Sequence, residues 1–285
     1  MRFCRGITEF MRFIGLLILL FSIFLSCQKY NDREKGTENH LKSVEKEVEP
    51  IQRKPFFTVK VIRKIPHDPE AFTQGLFFVD GYLYESTGQY GKSSLRKINP
   101  ENGEIVKRIN FDSRYFCEGI AHFNDKIYVL TWQNNTCLVL DFKTFRKLKE
   151  IFYPGEGWGL TNYDESHLVQ SDGTNILKVI RPDNFAAIKT IMVAFDGEPV
   201  GNLNELELIE GDIWANVWMK DSIVVIDKVT GDVKFWIDIS NLRHFVQPMQ
   251  QVDVLNGIAY DSRNKRIYLT GKFWPYIFEV EITNM

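Results

Sequence analysis

The stretch His67–Gly91 reads HDPEAFTQGLFFVDGYLYESTGQYG. It alternates like a strand, turns at Asp80-Gly81 and alternates again. Two such runs joined by Asp-Gly form a β-hairpin signature. Gln74 and Glu85 stand in it as polar side chains among apolar and aromatic ones. The same design recurs further along the chain. A polar or aromatic residue followed by a small–large apolar pair opens Gln74-Gly75-Leu76, Glu118-Gly119-Ile120, Trp158-Gly159-Leu160 and Asn256-Gly257-Ile258. A fourth member in chain order, Glu205-Leu206-Glu207, departs by carrying Leu206 where the others carry glycine.

After each pivot comes a second strand-like run: LYESTG from Leu83, IYVLTW from Ile127, LVQSDG from Leu168, IWANVW from Ile213 and IYLTGK from Ile267. A third run follows in every unit and a fourth in all but the last, with turns such as Asn99–Gly103 and Lys228–Gly231 between them. Four strands in a unit of roughly 40–50 residues is the signature of a propeller blade. Five units make an all-β, five-bladed β-propeller. The last unit lacks its fourth strand. The alternating run FFTVKVIRKI from Phe56 is expected to supply it, closing the ring and covering an exposed edge. A large β-sandwich is the alternative architecture.

The chain before Phe56 has another texture. Arg2, Arg5 and Arg12 precede the apolar run Phe13–Leu25, which is short for a membrane span and suited to a signal-peptide core. Ser26-Cys27 at its end is similar to a bacterial lipobox. Residues 1–26 are therefore expected to be a lipoprotein signal peptide and Cys27 the lipidation site. Residues 27–54, about half of them charged, make a disordered tether. Residues 55–285 form the propeller domain. This organisation implies a lipid-anchored protein of the bacterial cell envelope, facing the periplasm or the surface and held to the membrane through Cys27.

The 285-residue chain carries a net charge of −2, which gives no reason to expect a nucleic-acid partner. Cys117 and Cys137 are the only cysteines beyond the leader and lipobox; they either pair or are buried free thiols. No HExxH, GxSxG or phosphate-cradling glycine loop occurs, and no two of the five His have metal-ligand spacing. A site without metal or cofactor is expected.

In a propeller the inner strands line a central channel and sites gather at one mouth. The pivots differ in type around the ring, as do the sixth positions of the second strands, Gly88, Trp132, Gly173, Trp218 and Lys272. One Trp alone would be read as packing, Glu85 alone as an ion-pair partner of Arg96, and Lys272 alone as a solvated residue. Carboxylates, amides, one Lys and several Trp at one level of a ring make a candidate site.

The motifs HDPEAFTQGL, GYLYESTGQYGKSSLR, EGIA, LTWQ, GEGWGL, SDGT, LNELE, IWANVW, LNGIAYD and LTGK, in this order, closely resemble the glutamine cyclotransferase family. The resemblance runs from about Phe56 to Ile282. It implies a five-bladed propeller that acts as an acyltransferase, cyclising N-terminal glutaminyl peptides or proteins to pyroglutamyl products with release of ammonia. It also implies residue roles. Glu118 in CEGIA is the leading proton shuttle. Glu85 in YEST shares that task or binds the substrate's α-ammonium. Gln74 and Asn204 bind the γ-amide or the oxyanion. Lys272 polarises the amide carbonyl or fixes the proton network. Phe72, Trp132, Trp158 and Trp218 wall the pocket. The protein is expected to work as a monomer. The competing reading is a non-enzymatic, lipid-anchored binding propeller.

Overall fold

The computed structural model describes residues 56–246 and 251–284. The expected leader, tether and Cys27 lie outside them. β1 (Phe56–Pro66) is followed by a first four-stranded sheet of β2 (Thr73–Val79), β3 (Tyr82–Thr87), β4 (Ser94–Ile98) and β5 (Ile105–Asn110). The second comprises β6 (Cys117–Phe123), β7 (Lys126–Thr131), β8 (Thr136–Asp141) and β9 (Lys147–Phe152). The third comprises β10 (Leu160–Asn162), β11 (Leu168–Gln170), β12 (Ile176–Ile180) and β13 (Ala187–Met192). A small hairpin, β14 (Ala194–Phe195) and β15 (Glu198–Pro199), leads into β16 (Leu203–Ile209), β17 (Asp212–Val217), β18 (Ser222–Asp227) and β19 (Val233–Asp238). After one helical turn (Arg243–Val246) the chain ends with β20 (Leu255–Asp261), β21 (Arg266–Gly271) and β22 (Tyr276–Asn284). The fold is a five-bladed β-propeller.

β1 closes the ring in the expected way. It runs antiparallel to β22 from Phe57↔Asn284 to Pro66↔Tyr276, so it is the fourth strand of the last blade. Its first three residues also pair parallel with β19, Phe56↔Trp236 to Thr58↔Asp238, joining blades four and five into one eight-stranded sheet.

Each blade is sandwiched between two others, so alternate residues of one strand serve different interfaces. On β2, Leu76 packs between blades five and one, and its neighbour Phe77 packs between blades one and two. Separate apolar clusters fill the interfaces of blades two and three, three and four, and four and five. Burial falls outward: β2 and β6 are almost wholly buried, while β9 and β13 are largely exposed. Cys117 and Cys137 are both buried free thiols.

Register corrects one alignment. The pairs Thr73↔Thr87, Cys117↔Thr131, Leu203↔Val217 and Leu255↔Gly271 occupy the same place in four blades, and each is followed by a bulge. The residues in the bulge are Gln74, Glu118, Asn204 and Asn256. The pivot of blade four is therefore Asn204, not Glu205. Glu205 stands where the other blades have glycine and reaches across the channel. Its carboxylate accepts hydrogen bonds from Leu76 N at 3.2 Å and Ile258 N at 2.8 Å, on two other blades.

The closure by β1 makes a paired prediction. Ile65 is 1% exposed in the interface of blades five and one, whereas Ile62 is 52% exposed. Ile65→Ala is expected to cost about 2–5 kcal/mol in urea unfolding. Ile62→Ala should stay within about 0.5 kcal/mol of wild type. Equal effects would contradict the assignment of the closing strand.

Candidate active site

The bulges at the starts of the inner strands bring Gln74 on β2, Glu118 on β6 and Asn204 on β16 to one end of the channel, with Trp158 just ahead of β10. The second strands deliver their next residues to the same level through a repeated backbone bond. Gly88 N donates to Phe72 O, Trp132 N to Phe116 O, Trp218 N to Asn202 O and Lys272 N to Val254 O, all within 2.8–2.9 Å. The two glycines at this level make room for aromatic rings. A Cβ on Gly88 would stand 2.4 Å from the Phe116 ring, and one on Gly173 2.7 Å from the Trp158 ring.

The result is a cavity of about 330 Å³ lined by Phe72, Gln74, Phe116, Glu118, Trp132, Trp158, Asn204, Trp218, Met219, Asp253 and Lys272. Eight residues expected at the site are in this wall: Glu118, Lys272, Phe72, Gln74, Trp132, Trp158, Asn204 and Trp218. Trp158 meets Trp218 edge-on with centroids 5.6 Å apart, and Phe116 meets Trp132 at 5.5 Å. The Lys272 ammonium lies 4.6 Å from the centre of the Phe72 ring.

At the base of the cavity a relay of amides fixes Glu118. Asn256 Nδ2 donates to Thr73 O at 3.0 Å and to Gln74 Oε1 at 3.1 Å. Gln74 Nε2 in turn donates to Glu118 Oε1 at 3.0 Å. A backbone carbonyl only accepts, so the Asn256 amide has one workable orientation, and Gln74 inherits its own from it. Burial pushes the Glu118 carboxyl well above its ordinary value; Lys272 pulls it down, and Glu156 adds to the rise. Burial lowers Lys272, against the charges of Glu118 and Asp253. Asn204 Oδ1 is buried without a hydrogen-bond partner from the protein. Among the described residues no group of three or more His, Cys, Asp or Glu side chains is placed to hold a metal ion.

Glu85 does not join them. It is fully buried on the interblade side of β3, away from the cavity wall. Its Oε1 accepts from Thr73 Oγ1 at 2.6 Å and faces His67 Nε2 at 2.9 Å, and its Oε2 accepts from Arg96 Nη1 at 3.4 Å. The other ring nitrogen of His67 faces Trp274 O at 2.7 Å. Both nitrogens thus meet acceptors, which calls for the imidazolium. Burial alone would raise Glu85, but His67, Arg96 and Thr73 bring it down to about 2. Its part is to hold Thr73, the residue before Gln74.

Sequence reasoning passed over Phe116, Met219 and Asp253. Phe116 had a readable signal, since Phe116-Cys117-Glu118 repeats the spacing of Phe72-Thr73-Gln74. Met219 stands in the turn after β17, and Asp253 in the loop before β20.

A model of one family, glutamine cyclotransferase, matches residues 37–282 of the chain. The chain belongs to the glutamine cyclotransferase family. Among its relatives, a glutaminyl-peptide cyclotransferase of Arabidopsis thaliana is 37% identical over 228 residues, covering 79% of this chain and 71% of that protein. The crystal structure of the Myxococcus xanthus glutaminyl cyclase superposes with a TM-score of 0.77 at 35% identity, covering 82% of this chain and all of that one. Membership in the glutamine cyclotransferase family thus agrees with both the repeat and the cavity.

The placement of Glu85 makes a prediction that separates structure from chemistry. Glu85→Gln leaves buried His67 without its anion and Arg96 with Asp68 alone, and is expected to cost about 3–5 kcal/mol in urea unfolding at pH 7. The depressed Glu85 contributes stability above the ordinary carboxylate pKa, and this is lost as pH falls toward about 2. The gap between wild type and Glu85→Gln should therefore narrow between pH 5 and pH 2. A gap that is independent of pH would contradict the ion-pair reading.

Proposed function

We propose that this protein is a glutaminyl-peptide cyclotransferase, converting N-terminal glutaminyl residues of peptides or proteins to pyroglutamyl residues with release of ammonia. The observation that carries the reading is Glu118: a carboxyl group of raised proton affinity, held by an oriented amide in an aromatic-walled cavity that also contains Lys272 and Asn204.

The reaction joins two parts of one flexible residue, so confining the side chain in a near-attack arrangement supplies much of the acceleration. The aromatic walls suit that task. The α-amine has an ordinary pKa of about 7.7–8.0 and is readily available as the free base. Gln74 donates to Oε1 of Glu118, which leaves the proton of the neutral carboxyl on Oε2. As the α-nitrogen attacks the carbonyl carbon (Cδ) of the γ-carboxamide, a C–N bond forms and the carbonyl electrons move to oxygen. Lys272 offers positive charge to that oxyanion. Glu118 gives its proton to the departing amide nitrogen and takes one from the α-nitrogen. The carbonyl re-forms, the bond to the former amide nitrogen breaks and ammonia leaves. Asn204 Oδ1, free of protein partners, accepts an N–H of the γ-amide. Asp253 is shared with an adjoining polar groove of about 720 Å³, which gives the rest of the peptide a path away from the cavity.

The lipobox-like Ser26-Cys27 after the apolar run Phe13–Leu25 supports a lipid-anchored enzyme of the bacterial cell envelope. Conversion to alanine at Cys27 is expected to release the protein from the membrane fraction.

The direct test is ammonia release from a Gln-initiated peptide. Wild type should release ammonia, and Glu118→Gln should lower kcat about 10²–10⁴-fold, the usual contribution of a positioned proton-transfer group. Wild type without turnover would favour the binding propeller. Turnover by Glu118→Gln within a few-fold of wild type would remove Glu118 from the proton path.

A further inference from the structure

Glu156 lies in the segment between β9 and β10, behind the cavity wall. Its Oε2 accepts a hydrogen bond from Trp132 Nε1 at 2.8 Å and a second from Trp158 Nε1 at 3.0 Å. Its Oε1 accepts from Gln133 Nε2 at 3.2 Å, and its backbone oxygen accepts from Gln170 Nε2 at 3.2 Å. One residue thereby ties blade two to blade three. The aromatic wall consists of two runs of ring contacts. One passes from Phe72 through Phe116 to Trp132, and the other joins Trp158 to Trp218. The carboxylate of Glu156 links the two runs.

We propose that Glu156 is a positioning residue of the cyclisation site, whose single carboxylate sets the two tryptophan walls against each other. An indole N–H can only donate, so each Trp has one preferred ring placement while Glu156 accepts from both. The bonds to a charged acceptor are the stronger kind. Although burial acts to raise Glu156, the donors Trp158, Gln133 and Trp132 keep it below its ordinary value and thus ionised. Around Glu118 the charged groups are Lys272, Glu156 and Asp253, with the Gln74 amide on Oε1. Lys272 favours the carboxylate and Glu156 favours the neutral acid. Around Glu156, the nearby Asp172 acts in the same direction as burial.

This rests on the cyclase reading, and two variants of the full chain separate its parts. Glu156→Gln keeps an acceptor oxygen for the indoles and removes the charge; Glu156→Ala removes both. For turnover of a Gln-initiated peptide, Glu156→Ala is expected to lower kcat/KM about 10–100-fold, as misplaced walls no longer hold the near-attack geometry. Glu156→Gln should keep KM within about two-fold and move the alkaline limb of the kcat profile to lower pH, because Glu118 loses its proton more easily without the like charge. Independently of activity, Glu156→Ala should shift two of the indole N–H signals in a 1H–15N NMR spectrum, and Glu156→Gln should leave them nearer their wild-type positions. Unmoved indole signals, or kcat/KM within two-fold of wild type in Glu156→Ala, would overturn the proposal. If wild type shows no turnover, the cyclase reading falls, while the indole signals still decide whether Glu156 clamps the two rings.

Discussion

The pairing of β1 with β22 is the interaction on which the other parts depend. A propeller blade buries both faces against its neighbours, so it has no stable position until the circle is complete. β1 covers the edge of the last blade along most of its length and clips that blade to β19 as well. Once the ring is closed, the inner strands β2, β6, β10, β16 and β20 each touch the next, with β20 returning to β2. That crowding leaves little space near the axis. Glycine occupies the tight place in four blades, and Glu205, in the fourth blade, turns the same place into a strut between two others. The bulge one residue earlier turns the pivot side chains toward a common mouth.

Closure therefore assembles the site as well as the fold. No blade holds the chemistry alone: Gln74, Glu118, Trp158, Asn204 and Lys272 come from five different blades. The acids near the axis show how environment divides labour among like groups. Glu118 has one amide donor and is desolvated, so it favours its neutral form. Glu85, one blade behind it, is surrounded by His67, Arg96 and Thr73 and stays charged. Glu156, with its indole donors, also stays charged. The same burial that raises Glu118 is outweighed at Glu85 and Glu156 by their donors.

Most of this was legible in the sequence because the blade repeat is regular. The strand pattern, the number of units, the closing role of Phe56–Pro66 and the cavity residues on or beside inner strands all follow from periodicity and from the motifs. What escaped did so for physical reasons. Glu85 lies opposite Leu76, which packs in the interface of blades five and one, and a bulge separates that register from Gln74, so its polarity within the hairpin did not show which side it takes. The same bulge hid the true pivot of blade four, since Asn204 and Glu205 are adjacent polar residues and only pairing separates them. Asp253 arrives from a loop and Glu156 acts from behind the wall; neither position repeats. The pairing of Glu85 with Arg96 was readable as an alternative, and His67, distant by 18 residues in sequence, completes it.

The central claim is that the cavity keeps Glu118 protonated near neutral pH so that it can pass a proton between two nitrogens of one substrate. Infrared difference spectroscopy of wild type against Glu118→Gln at pH 7 measures this directly. The account predicts a protonated-carboxyl C=O band in wild type that is absent from Glu118→Gln. A difference spectrum showing instead the loss of an ionised carboxylate band would contradict it.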